Sequence, residues 1–277
     1  MRGSSFFEDI RQIDIEIGGQ PSKAPIFYYD GSSMTAVFPA RYSRLRELMP
    51  NPRYVPARLA PGLGAVAITC LDYRDTDVGA YRELAIAIPL NEPRFRANLP
   101  GRALVSAARL GQLHAFIRHL PVTTEVALRG GIDFYNFPKF IAEIDFTETN
   151  QDLRCRLAEG KEHILTLSGK RIATPRRQRT DQFSHLWMDG QPQAAQFKVN
   201  QLQVGTSRRP DAAVLTLGER HPVALELGRL LAWRKPLQYE HAPRFEAILF
   251  GPEHLTLPLV QRALQSVEAL EQHKVSG

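Results

Sequence analysis

The sequence predicts an α+β fold that is mostly antiparallel β, with its sheets closed or sandwiched and a few helices at the flanks. Three observations carry that reading. Short apolar or alternating runs recur along most of the 277 residues, and helical spacing is confined to a few stretches. No repeat, low-complexity tract or clear linker divides the chain, so residues 1–277 are expected to form one domain.

The strands come first. Gly64 to Tyr73 is β-branched and apolar, and Leu84, Ile86, Ile88 and Leu90 alternate along one face. Phe140, Ala142, Ile144 and Phe146 alternate again, with Ile141, Glu143 and Asp145 opposite. Leu153 to Leu157 and His163 to Leu167 flank Glu159-Gly160, which is a hairpin signal. Further runs span Phe197 to Val204, Ala212 to Leu217 and Arg244 to Phe250. Helices are expected at Tyr42 to Met49, before Pro50, and at Arg102 to His119, stopped by Pro121. Val223, Leu227, Leu230 and Leu231 mark a third, and Thr256 with Pro258 opens a fourth whose stripe is Val260, Leu264, Val267 and Leu270.

Composition excludes more than it identifies. The chain is 43% hydrophobic and 23% charged, as soluble globular proteins are. Its net charge of +6 raises the question of nucleic acid. However, the basic clusters at Lys170-Arg171, Arg176 to Arg179 and Arg208-Arg209 lack interleaved aromatics for base stacking. No nucleic-acid partner is expected, although a basic surface suits an anionic substrate. Cys70 and Cys155 are too few for a disulfide framework or a zinc cluster and read as small core residues. No segment approaches a membrane span and the N-terminus lacks a signal-peptide run, so a cytoplasmic enzyme with no membrane partner is expected. A phosphate loop, a dinucleotide fingerprint and a nucleophile elbow are absent, and His114 and His119 lack metal-site spacing. No metal or cofactor is expected.

One segment stands out: Gly131-Ile-Asp133-Phe-Tyr-Asn-Phe137-Pro138-Lys139-Phe140. A lysine directly after proline, in an aromatic stretch, is an odd place for a charge. Desolvation favours the neutral amine, which is the nucleophile. An ordinary lysine titrates near 10.4, so about one in a few thousand is neutral at pH 7, and a Schiff-base lysine must be brought down towards neutrality. Strand alternation alone allows a plainer outcome, in which Lys139 shares a solvent face with Ile141, Glu143 and Asp145 and pairs with Glu143.

Gly131-x-Asp133-x-x-x-Phe137-Pro138-Lys139 resembles the Gly-Arg-Glu-x-x-x-Tyr-Pro-Lys pattern of the acetoacetate decarboxylase family, whose lysine forms the Schiff base. Gly79-Ala-Tyr81-Arg-Glu83 resembles that family's Gly-x-Tyr-x-Glu segment, which supplies an active-site carboxylate. Thr124-Glu125-x-Ala127 and the stretch from Val37 through Met49-Pro50 are further echoes in the same order. The resemblance implies a closed, barrel- or cone-like sheet system and a homo-oligomer. It also implies catalytic Lys139 and Glu83, with Tyr81, Phe137 and Phe140 as substrate-binding residues. Asp133 and Phe137 are conservative departures from the pattern; beyond these, Phe140 stands where a second lysine is expected, Ile132 replaces an arginine, and Gly31 lies where another arginine is expected. Trp187, Trp233 and Tyr239 are candidates for the later pocket residues by size alone.

The chemistry implied is an iminium formed between Lys139 and a small keto acid, with Glu83 moving protons or disfavouring the substrate carboxylate. Loss of carbon dioxide from a β-keto acid such as acetoacetate is one outcome. Aldol condensation and dehydration with a pyruvate-like donor is another, and the absent second lysine suits it. A small-molecule binding module with the same fold and no covalent step is the non-enzymatic alternative.

Overall fold

A computed structural model describes residues 3–91, 100–101, 111–188 and 191–251. The strands, in chain order, are β1 (Ile13–Ile17), β2 (Gln20–Ala24), β3 (Ile26–Arg41), β4 (Leu63–Thr76), β5 (Tyr81–Pro89) and β6 (Gln112–His119). They continue with β7 (Glu143–Glu148), β8 (Asp152–Glu159), β9 (Glu162–Lys170), β10 (Arg176–Met188), β11 (Gln191–Ser207), β12 (Ala213–Leu217) and β13 (Gln238–Leu249). Three helices are described: α1 (Tyr42–Glu47), α2 (Glu125–Tyr135) and α3 (Pro222–Leu230).

Seven strands close a barrel in the order β10-β11-β13-β3-β4-β5-β6. Every pairing is antiparallel except the seam between β6 and β10, which is parallel. Closure leaves no free edge in the barrel. A second, four-stranded sheet in the order β12-β9-β8-β7 lies against the outer barrel face, and β1 with β2 forms a separate hairpin.

The alternation seen in the sequence decides which side of each strand faces which core. Met34, Phe38, Val66, Ile68, Leu84, Ile86 and Ile88 point out of the barrel and pack on Cys155, Leu157, Leu165 and Leu167 of the second sheet. Both cysteines are free and fully buried there, as small core residues. Helix α3 adds Val223, Leu227 and Leu230 to this core. Leu45 of α1 sits so close to Gly64 that a Cβ at Gly64 would lie 2.6 Å from it. Phe7, Phe27, Tyr29 and Ile248 make a separate cluster where the N-terminal segment meets the barrel.

Most expected strands are present, including the β8–β9 hairpin that turns at Glu159-Gly160. The expected helices at Tyr42 and Val223 also form. The helix expected over Arg102 to His119 does not run to its end: residues 112–119 are strand β6, and residues 102–110 lie outside the described residues. Leu113, Phe116, Ile117 and Leu120 fit a helical stripe. The barrel, however, needs a strand between β5 and β10, and those tertiary ladders override a weak local preference. The helix expected from Thr256 likewise lies outside the described residues.

Candidate active site

Lys139 and Glu83 are brought together from 56 residues apart by a run of backbone bridges. Glu83 is an inward residue of β5 and bridges to Val122, which in turn bridges to Ile141. Leu120 N donates to Pro138 O and Val122 N donates to Phe140 O, which fixes the segment carrying Lys139 beside the barrel wall. Before that segment, α2 ends at Asn136, which caps it in the left-handed region at φ 50°. The chain then doubles back, with Phe137 N donating to Gly131 O, so Lys139 lies across the last turns of the helix.

This fold-back explains why the residue at position 131 is glycine. A Cβ at Gly131 would overlap Lys139 Cδ and Cε and reach Nζ at 3.0 Å. The bare backbone is the groove through which the lysine passes. Lys139 Nζ donates to Glu83 Oε2 at 2.8 Å and to Ala127 O at 3.1 Å. Both side chains are nearly enclosed, at 7% and 9% exposure.

The alternation that would have put Lys139 on a solvent face with Glu143 is broken before β7 begins. Lys139 N donates to Phe137 O at 2.7 Å, a tight turn spanning three residues, so residues 137–142 are not a regular strand. Ile141, Glu143 and Asp145 do face solvent, whereas Lys139 does not.

Three tyrosines surround the pair. Tyr28 and Tyr81 share a hydroxyl contact of 3.2 Å, and the Tyr73 hydroxyl donates to Glu83 Oε1 at 3.5 Å. The Tyr73 ring packs between Tyr28 at 4.6 Å and Tyr81 at 4.7 Å. Burial, reinforced by the Glu83 carboxylate, raises all three phenols well above their ordinary range, so they stay neutral. Lys139 Nζ lies 5.9 Å from the Tyr81 ring centroid.

The pair opens on a cavity of about 710 Å3 that occupies the barrel interior. Of the residues singled out in the sequence, Lys139, Glu83, Tyr81 and Phe137 all line it. Phe140 does not: it packs on the core between the barrel and the second sheet. Among the size-based candidates, Tyr239 is buried on the outer barrel face with its ring against Gly169, and Trp233 is 45% exposed. Trp187 packs on Tyr54, away from the cavity lining.

Sequence reasoning missed Tyr28, Tyr73, Tyr135 and Phe245, which do line the cavity. Phe245 accounts for Gly31, since a Cβ at Gly31 would fall 2.8 Å from the Phe245 ring. No arginine can occupy that place while Phe245 fills it. Among the described residues, no group of three or more His, Cys, Asp or Glu is placed to hold a metal ion. His114 instead contacts His185 at 2.9 Å, and His119 contacts Glu226 at 2.8 Å.

Residues 20–226 match the family described as acetoacetate decarboxylase. The chain belongs to the acetoacetate decarboxylase family. Solved structures agree on the fold. An acetoacetate decarboxylase from Legionella pneumophila shares 15% identity at a TM-score of 0.56, covering 83% of this chain and 86% of that one. The enduracididine biosynthesis enzyme MppR, complexed with pyruvate, gives 13% identity and a TM-score of 0.57 over 83% of this chain and 90% of that one. An acetoacetate decarboxylase-like enzyme from Sphingomonas wittichii gives 13% identity and a TM-score of 0.54, covering 86% and 96%. No curated protein is similar enough to match.

Proposed function

We propose that this member of the acetoacetate decarboxylase family is a Schiff-base lyase that removes carbon dioxide from a β-keto acid, with Lys139 as the nucleophilic amine. One observation carries the reading: an enclosed lysine 2.8 Å from an enclosed glutamate, both opening on a large barrel cavity.

The amine has to lose a proton before it can attack, and the bond to Glu83 gives that proton a place to go. Lys139 Nζ adds to the keto carbon, and the keto oxygen leaves as water once it has gained two protons. A protonated imine remains. The bond to the carboxylate then breaks, its electron pair moves into the carbon–nitrogen double bond, and carbon dioxide departs. The resulting enamine takes a proton on carbon that comes from solvent, passed on by Glu83, the carboxyl group beside Lys139. Water then adds to the imine carbon, the carbon–nitrogen bond breaks, and the ketone and the free amine are regenerated. A carboxylate at Glu83 also disfavours the substrate carboxylate beside it, and that repulsion is relieved as neutral carbon dioxide forms.

A second reading keeps the iminium and changes the next step. With a pyruvate-like donor the enamine attacks an aldehyde, and a cavity of about 710 Å3 has room for both reactants. The similarity to an enzyme complexed with pyruvate favours including that donor in the test.

Carbon-13 NMR on labelled acetoacetate and 3-oxooctanoate, run beside an enzyme-free control, follows carbon dioxide and ketone together. Release above the control that disappears in Lys139→Arg supports the assignment. Undiminished release by the variant would show that another group does the chemistry. Carbon-carbon bond formation with pyruvate and an aldehyde, without decarboxylation, would favour the second reading.

A further inference from the structure

The strands around Glu83 sort their side chains by size. On β4, Ala65, Ala67 and Thr69 face the barrel interior, while Val66 and Ile68 between them face outward and are fully buried. β5 repeats the pattern, with Ala85 and Ala87 inward and Leu84, Ile86 and Ile88 outward. Ala115 of β6 is a sixth small inward residue. A barrel of about eight strands is just wide enough for ordinary side chains to fill it. Here the inward residues stop short, and the lumen stays open. Leucine or isoleucine at these positions would bury more apolar surface and stabilise the barrel, so the open lumen has a cost in stability.

The space exceeds what the smallest substrates need. Acetoacetate has about seven non-hydrogen atoms, and at roughly 30 Å3 each in a liquid it fills about 200 Å3. The cavity holds about 710 Å3. It is also long: Pro89 lines it too, six residues beyond Glu83, or about 20 Å at the usual strand rise. Along β4 and β5 the wall between is apolar apart from Thr69, whose hydroxyl bonds to that of Thr35 at 3.1 Å. The facing strands are more polar, with Gln182, Gln201 and Glu240 in the lining, and Arg58, Gln112 and Gln178 line the far end. The Arg58 Nε there is buried and without a hydrogen-bond partner.

We infer that the lumen holds the apolar tail of the substrate, which is therefore a medium- to long-chain 3-oxo acid rather than acetoacetate. The inference rests on the Schiff-base reading of Lys139. The keto carbon meets Lys139 at one end, and the alkyl chain runs along β4 and β5. The carbon–carbon bond to the carboxylate breaks, carbon dioxide leaves, and a proton takes its place to give a methyl ketone.

The test is kcat/KM for acetoacetate, 3-oxooctanoate and 3-oxododecanoate, in the wild type and in Ala87→Phe. Ala87 lines the lumen beside its strand partner Ala67, between Glu83 and Pro89, so a phenylalanine there shortens it. The wild type should prefer 3-oxooctanoate to acetoacetate by about tenfold or more. In the variant the ratio of 3-oxododecanoate to acetoacetate should fall by about tenfold or more. If Ala87→Phe does not fold, the wild-type series decides alone. A wild type that turns over acetoacetate at least as well as the longer acids overturns the tail assignment and leaves Lys139 chemistry standing. Failure to turn over any of the three, or to form an adduct with any, overturns both.

Discussion

Two sheltered ion clusters sit on neighbouring strands of this barrel, and they are built for opposite ends. In one, Lys139 meets Glu83 with one short bond between them and a cavity beside them. In the other, Arg118 of β6 grips Glu226 of α3 with two parallel bonds of 3.0 and 2.6 Å, and His119 adds a third at 2.8 Å. An arginine fork cannot give up its charge and holds a carboxylate in one geometry. A lysine can give up a proton, and its single bond to Glu83 leaves the amine free to turn towards a substrate. The second cluster ties a helix to the barrel. The first has the makings of a reaction.

The largest expected effect follows from removing the amine. Lys139→Ala should abolish turnover, by about a thousandfold or more, because among the described residues of the cavity wall no other lysine can form the iminium. Arg118→Met should leave turnover per folded molecule near the wild-type level. Steady-state rates normalised to folded protein check both, and loss of activity in both variants would erase the contrast.

Gly131→Ala is expected next, at about a hundredfold. Its new methyl occupies the path of the Lys139 stem and moves the amine off line, which is enough to disable a positioned nucleophile. The loss should fall mainly on kcat, with secondary structure by circular dichroism unchanged. A near-normal kcat would mean that the lysine has another route to the cavity.

Glu83→Gln should lower kcat by about ten- to a thousandfold while sparing substrate binding more than turnover. Comparing kcat with KM separates the two. An effect confined to KM would make Glu83 a binding residue and nothing more.

The smallest effect concerns stability and pH. Burial alone would raise the Glu226 carboxyl, but hydrogen bonds from His119 and Arg118, with the Arg118 charge, hold it at about 2. An unfolded glutamate titrates near 4.3. The folded value is the lower one, so the stabilisation is present above about pH 4.3 and is lost as the pH falls towards about 2. After screening at these partly exposed side chains it is worth about 1 kcal/mol. Urea midpoints of wild type and Glu226→Gln should differ at pH 7 and draw together as the pH falls from about 4 towards about 2. A gap that stays constant would assign the effect to packing.

Much of this was legible in the sequence, for reasons that differ by element. The outward stripe of Leu84, Ile86 and Ile88, the Glu159-Gly160 turn and the α3 stripe are local patterns, and each survives into the structure. Lys139 and Glu83 were legible through motifs rather than through periodicity, which pointed the lysine at solvent. The tight turn at Phe137–Lys139 is a three-residue event that no two-residue period can show. β6 was hidden because its apolar spacing suits a helix as well as a strand, and only its two partner strands decide. Tyr28 and Phe245 reach the cavity past register shifts in β3 and β13, so counting alternate residues along those strands loses them. The run Ala65-Val-Ala67-Ile68-Thr69 was in plain view. Its small residues carry the message, whereas reading for hydrophobic cores attends to the large ones.

Borohydride reduction followed by peptide mass spectrometry tests the central claim most directly. Wild type and Lys139→Ala would each be incubated with acetoacetate, 3-oxooctanoate and pyruvate, then reduced and digested. A Schiff-base amine at Lys139 should leave a reduced adduct on the peptide containing Lys139, absent from the variant, and heavier by the alkyl chain where 3-oxooctanoate is used. An adduct on a different lysine, or none from any keto acid with the protein folded, would contradict it.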